Sequence, residues 1–139
     1  MRKVISSTAL IALAVFILSG CSGSKDVAPS VTGLVSKELG MTKSQTEAGM
    51  GALMMMSKDK LSPEDFTKLA KDIPGANSMM KKATDLGAVP GSLGSTADIL
   101  QMLSKLGVSP VTAAKFIPTV LNVTKELGGS AFGLLSKVF

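Results

Sequence analysis

Apolar residues recur at three- and four-residue spacings along most of the chain, and no stretch alternates apolar with polar as a strand would. The pattern predicts an all-α fold, a compact bundle of about six or seven short helices. Val31, Leu34, Val35 and Leu39 mark a first helix that stops at Gly40. Thr42 with Gln45 has the form of a capping box, so a second helix runs from there to about Lys58. Its middle, AGMGALMMM, sets Ala48, Gly49, Gly51 and Ala52 among methionines. Small residues there admit another backbone closely, although each glycine costs about 1 kcal/mol of helix propensity. Ser62-Pro63-Glu64-Asp65 starts a third helix, with a capping serine, a proline at the first position and acids at the positive end of the dipole. Phe66, Leu69, Ala70 and Ile73 are its inner face, and Pro74-Gly75 ends it.

Asn77 or Ser78 is the expected cap of a fourth helix, carrying Met79, Met80, Ala83 and Leu86 inward. Gly87 to Gly94 reads as a loop and as the joint between two halves. Ser95 or Thr96 caps a fifth helix, with Ile99, Leu100, Leu103 and Leu106 inward, that ends at Gly107. Ser109 to Gly128 follows with only Thr112, Lys115, Thr119 and Asn122 as a polar stripe. A helix apolar over most of its circumference is expected to be the central core helix, kinked or broken at Pro118. A last short helix runs from Ser130 to Phe139, with Phe132, Leu135 and Val138 inward. The stretch from Leu34 to Thr42 and that from Met102 to Ser109 each place a short helix and a glycine before a longer capped helix. The halves therefore read as a degenerate repeat.

The first residues set the expected compartment. Met1-Arg2-Lys3 is a positive start, Val4 to Ile17 is an apolar run too short for a confident membrane span, and Leu18-Ser19-Gly20-Cys21 follows. That tetrapeptide resembles the lipobox of bacterial lipoproteins, which implies cleavage before Cys21 and covalent lipid on its sulfur. The resulting domains are a signal peptide over 1–20, a lipidated tether over 21–30 and one helical domain over 31–139. Several acyl chains, at about 0.8 kcal/mol per buried methylene, would hold the protein on a bilayer. Ser22 after the cysteine, by resemblance to the lipoprotein sorting rule, implies the outer membrane of a Gram-negative cell, with the domain facing the periplasm. Cys21 is the only cysteine, so no intramolecular disulfide forms.

Composition narrows the chemistry further. The chain carries +5 overall, and without Arg2 and Lys3 it keeps 13 lysines against 10 acids, interspersed as on a solvated surface. Beyond residue 20 there is no arginine, histidine, tryptophan or tyrosine. Without the guanidinium fork or stacking aromatics, nucleic-acid binding is not expected. Without imidazole the commonest general base and metal ligand is missing, so no enzyme, metal site or cofactor is expected beyond the lipid on Cys21.

The run LSPEDFTKLAKDIPGA from Leu61 to Ala76, with LGVSP from Leu106 and FIPTVL from Phe116, resembles exported bacterial proteins of the VcgC/VcgE type. The likeness extends over most of residues 31 to 138. That family is grouped as proteins of unknown function; the resemblance implies a compact helical domain outside the cytoplasm and supplies no site residues.

Methionine is the compositional excess, nine in all. Thioether sulfur suits Cu(I), and Met50 and Met54 share a helix face, but methionine more often fills irregular cores or lines adaptable grooves. Met50, Met54, Met55, Met79 and Met80 are the candidate apolar groove. Glu64, Asp65 and Asp98 sit in first turns, where carboxylates complement the dipole. The sequence therefore points to an outer-membrane lipoprotein that acts without chemistry as an envelope interaction or structural module, its partners the membrane and an envelope protein. The alternative is a periplasmic binder of a small apolar ligand or lipid in the methionine-lined groove.

Overall fold

Each stretch of helical spacing becomes a helix because it meets its stop and start signals. A computed structural model describes residues 30–139 of the chain, so the expected signal peptide, Cys21 and the tether up to residue 29 lie outside the described residues. The elements are α1 (Val31–Leu39), α2 (Lys43–Lys60), α3 (Pro63–Asp72), α4 (Ala76–Asp85), α5 (Thr96–Lys105), α6 (Pro110–Leu127) and α7 (Ala131–Val138), with no strand among the described residues. The all-α expectation holds.

Ser30, Thr42, Ser62 and Ser109 accept from the backbone N–H three residues on, at 3.2 Å in each case. Gln45 completes the box at α2 by accepting from the Thr42 N–H at 3.0 Å. At α5 it is Asp98 that reaches back, accepting from the Ser95 N–H and hydroxyl at 2.9 Å each. These hydrogen bonds, the hydroxyl's first, hold the Asp98 carboxyl below its ordinary pKa. Helix α4 departs from expectation. Neither Asn77 nor Ser78 caps it; Pro74 stops α3, and Gly75 at φ +85 turns the chain straight into Ala76 without a side-chain cap.

The larger correction concerns the centre. It is α2, not α6, around which the domain is built: α1, α3, α4, α5 and α7 all pack against it. Every residue from Ala48 to Ser57 is buried. On α6, by contrast, Val111 is 67% exposed, and Ala114, Lys115, Pro118 and Asn122 are also exposed, whereas Thr119 from the expected polar stripe is buried. The physical reason lies in side-chain size. A helix edged with alanine and glycine can be approached from several sides, and α6 has Ala113 and Ala114 but no glycine. The chain also runs through Pro118 as one helix from Pro110 to Leu127, without the break that proline threatened.

Glycine makes the tightest contact. A Cβ on Gly51 would overlap the Met79 carbonyl oxygen of α4, and one on Gly49 would come within 2.6 Å of Phe116 Cζ on α6. The buried hydroxyls of Ser57 and Thr124 donate to the carbonyls of Leu53 and Val120, four residues back, at 2.8 and 2.9 Å, so neither is left unpaired in the core. The repeat takes a reciprocal form. Each half is a short helix, a left-handed glycine (Gly40, Gly107) and an 18-residue helix, and the short helix of each half packs on the long helix of the other as well as on its own. Gln45 ties the halves, donating to the Leu106 carbonyl at the end of α5 at 2.9 Å.

Two stability experiments follow. Gly51→Ala should lower unfolding free energy by about 1–3 kcal/mol, because the clash is with backbone and cannot rotate away, whereas Gly133→Ala, on an open face of α7, should raise it by about 0.5–1 kcal/mol; urea unfolding of the pair checks both signs. The Asp98 carboxyl has its pKa lowered in the folded state, so its contribution is present above the unfolded pKa and is lost as pH falls through the folded one. Asp98→Ala should therefore be less stable than wild type at neutral pH and converge with it on acidification.

Candidate functional site

The five methionines of the candidate groove fall in three places. Met50 and Met54 are sealed in the core at 1% and 0% exposure. Met55 and Met80 border a shallow recess of about 220 Å³ with Lys58, Lys81 and Pro90. Met79 lies in a different recess, of about 600 Å³, between α1, α2 and the start of α4. The sulfurs have local partners: the Thr32 hydroxyl meets Met79 Sδ at 3.5 Å, and the Thr84 hydroxyl lies 4.0 Å from Met55 Sδ. Methionine's flexible, unbranched side chain accounts for this dispersal, because it goes wherever helices meet irregularly.

The recess beside Met79 carries charged side chains in its lining. Glu47 pairs with both Lys43, at 3.7 Å, and Lys82, and the hydroxyls of Ser30, Thr32 and Ser36 complete its lining. One carboxylate there serves two ammonium groups. Among the described residues no three carboxylates, thiols or imidazoles gather as a metal would require. Asp65 at the start of α3 is engaged by Lys68 and Lys137, each at 3.6 Å, so the paired acids expected at this helix start serve the surface.

A second concavity was hidden in the sequence. It is an apolar groove of about 580 Å³ between α5, α6 and α7. Ala114, Ile117, Pro118 and Leu121 of α6 form its floor, Leu100 one wall, and Phe132 and Phe139 the other. Thr96, Asn122 and Ser136 supply its few polar edges. Ala114 and Pro118 are exposed, Leu100, Leu121 and Phe132 half-buried, and Phe139 36% exposed. Sequence reasoning assigned Ala114 and Leu121 to a core helix and pointed Phe132 inward. The usable signal was Pro118, which falls on the same helical line as Lys115 and Asn122 and so marks an outer face.

The geometry of α6 gives the floor a further property. Pro118 has no N–H to donate to the Ala114 carbonyl, and both residues line the groove. A backbone acceptor without its helical donor therefore lies at an otherwise greasy surface. Helix α7 is held as the third side by the Asp72 carboxylate of α3, which accepts from the Ser130 N–H and hydroxyl at 2.8 Å each.

Residues 21–135 match the family model described as Protein of unknown function VcgC/VcgE (DUF2780). The chain belongs to this family. The match spans all seven helices up to the middle of α7 and includes the groove floor, so the groove is built largely from the family's own domain. No curated protein and no solved structure matches the chain.

Replacing the proline tests what it does to the floor. Pro118→Ala restores a donor for Ala114 on an exposed face and should stabilise the domain by on the order of 2 kcal/mol. Thermal unfolding followed by circular dichroism checks the gain.

Proposed function

We propose that this protein is a lipid-anchored, non-catalytic binding module of the outer membrane, working through the apolar groove between α5, α6 and α7. The groove is the observation that carries the reading: of the two large recesses among the described residues it is the more apolar, and its floor belongs to a helix whose opposite face is core. Its volume lies in the range of roughly 300–1,000 Å³ typical of small-ligand sites. The lipobox-like Leu18-Ser19-Gly20-Cys21 supports anchoring through Cys21, and Ser22 supports the outer membrane with the domain in the periplasm. No described helix is long and apolar enough to cross a membrane; acyl chains on Cys21 are the proposed means of attachment.

A chemical role has less support. Among the described residues Glu47 and Asp65 pair with lysines, Asp72 and Asp98 hold helix starts, and no serine or threonine hydroxyl lining either large recess hydrogen-bonds a lysine or carboxylate. The methionine-lined version of ligand binding is likewise less supported, because Met50 and Met54 are sealed.

Cys21→Ala should abolish incorporation of radiolabelled palmitate and shift the protein out of the outer-membrane fraction. Label retained by that variant would sink the anchoring reading.

A further inference from the structure

Resting on the groove as the working surface, we infer that its occupant is the acyl chain of an anionic single-headed amphiphile, with Lys125 receiving the head group. The lining excludes most other chemistries. Along α6 the floor runs from Ala114 to Asn122, about 12 Å of helix axis. Over that length it offers methyl, methylene and ring surface and almost no side-chain donor or acceptor. An extended peptide could pair one N–H with the Ala114 carbonyl and would leave its other amide groups without partners on this surface. An alkyl chain brings none.

Charge then selects the head. Asn122 ends the floor, and Lys125 follows it three residues on, hence on the same helical face. The Lys125 Nζ lies 5.9 Å from the centroid of the Phe132 ring, which forms the groove wall. The ammonium is thus held over the greasy wall, by the cation–π attraction, at the polar end of the floor. Lys125 takes part in none of the ion pairs among the described residues, whereas Lys137, on the α7 side, is occupied by Asp65. A carboxylate or phosphate on a chain lying against Phe132 would meet this cation. A free fatty acid has that chemistry, with one chain for the one floor.

The test uses the full chain in cells fed a 16-carbon fatty acid that carries a diazirine in its chain. After irradiation the protein is purified and its peptides are read by mass spectrometry. The expected result is a light-dependent adduct confined to the peptides holding Ala114–Leu121 and Phe132–Phe139. Its mass should be that of the free acid; a phospholipid mass would overturn the inference. Ala114→Trp, on an exposed position, should reduce the adduct at least tenfold with helix content unchanged, and Phe139→Asp should do the same should the tryptophan variant not fold. Lys125→Glu should replace anionic adducts with zwitterionic or neutral ones. Adducts spread evenly along the chain, insensitive to both groove variants, zwitterionic already in the wild type, or made by the acyl group of the chain's own Cys21 would each overturn it. Absence of groove adducts together with a cross-linked protein at those peptides would do so too. Light-independent label on the Cys21 peptide reports the anchoring separately, so either idea can fail without the other.

Discussion

The backbone contact between α2 and α4 is the constraint on which the rest depends. At Gly51 the helices approach so closely that the Met79 carbonyl occupies the space a Cβ would need. Such an approach costs helix propensity at each glycine, about 1 kcal/mol, and it leaves uneven gaps on either side of the contact. Met50, Met54 and Met56, each at or below 1% exposure, take up those gaps with side chains that have three rotatable bonds and no branch. The excess of methionine and the pairs of glycine and alanine on α2 are therefore two parts of one packing solution. Glu47 and Lys82, on the same two helices, pair at the rim, where a charge costs little to hold.

Once α2 holds the centre, α6 is confined to one side. Phe116 reaches over Gly49, Val120 and Val123 are buried, and α1 covers part of the same helix. The remaining arc faces α5, α7 and solvent, and Pro118 lies on it. That position explains why the helix survives its proline: the missing hydrogen bond lies on the solvent side, where water can serve the freed carbonyl. The same geometry generates the groove. Two short helices flank a long one without covering its outer face.

Caps, stops and helix number were legible because they are local. Ser62-Pro63, Thr42 with Gln45, and Ser109-Pro110 carry their chemistry within four residues, and the helices begin there. Gly75 escaped because a left-handed glycine can start a helix with no capping side chain, and Asn77 and Ser78 offered a more familiar signal. Apolar circumference does not by itself measure burial. Burial follows how closely neighbours can approach, so the glycines of α2 draw helices in while Val111 on α6 stays exposed. The methionine groove misled for a related reason: a sequence shows which side chains are adaptable but not which gaps they fill. The groove itself was illegible, since its walls come from three helices and only Pro118 hinted at the exposed floor.

Helix α7 is the least self-sufficient wall of that groove. At 8 residues it is too short to persist alone in water, so its position depends on what holds it from outside. Those ties sit at both ends: Asp72 on Ser130 at its start, Asp65 on Lys137, and the Lys60 ammonium on the Val138 carbonyl at 3.4 Å at its finish. Leu134, Leu135 and Val138 fix its inner face, while Phe132 and Phe139 are left to the groove. An occupant lying against those rings would add apolar contact to a wall too short to be helical on its own. By linkage, whatever binds the docked form more tightly than the undocked one stabilises it. Any occupant that favours the docked form would therefore be coupled to the seating of α7, whose ends are tied by polar and charged contacts and whose inner residues are buried.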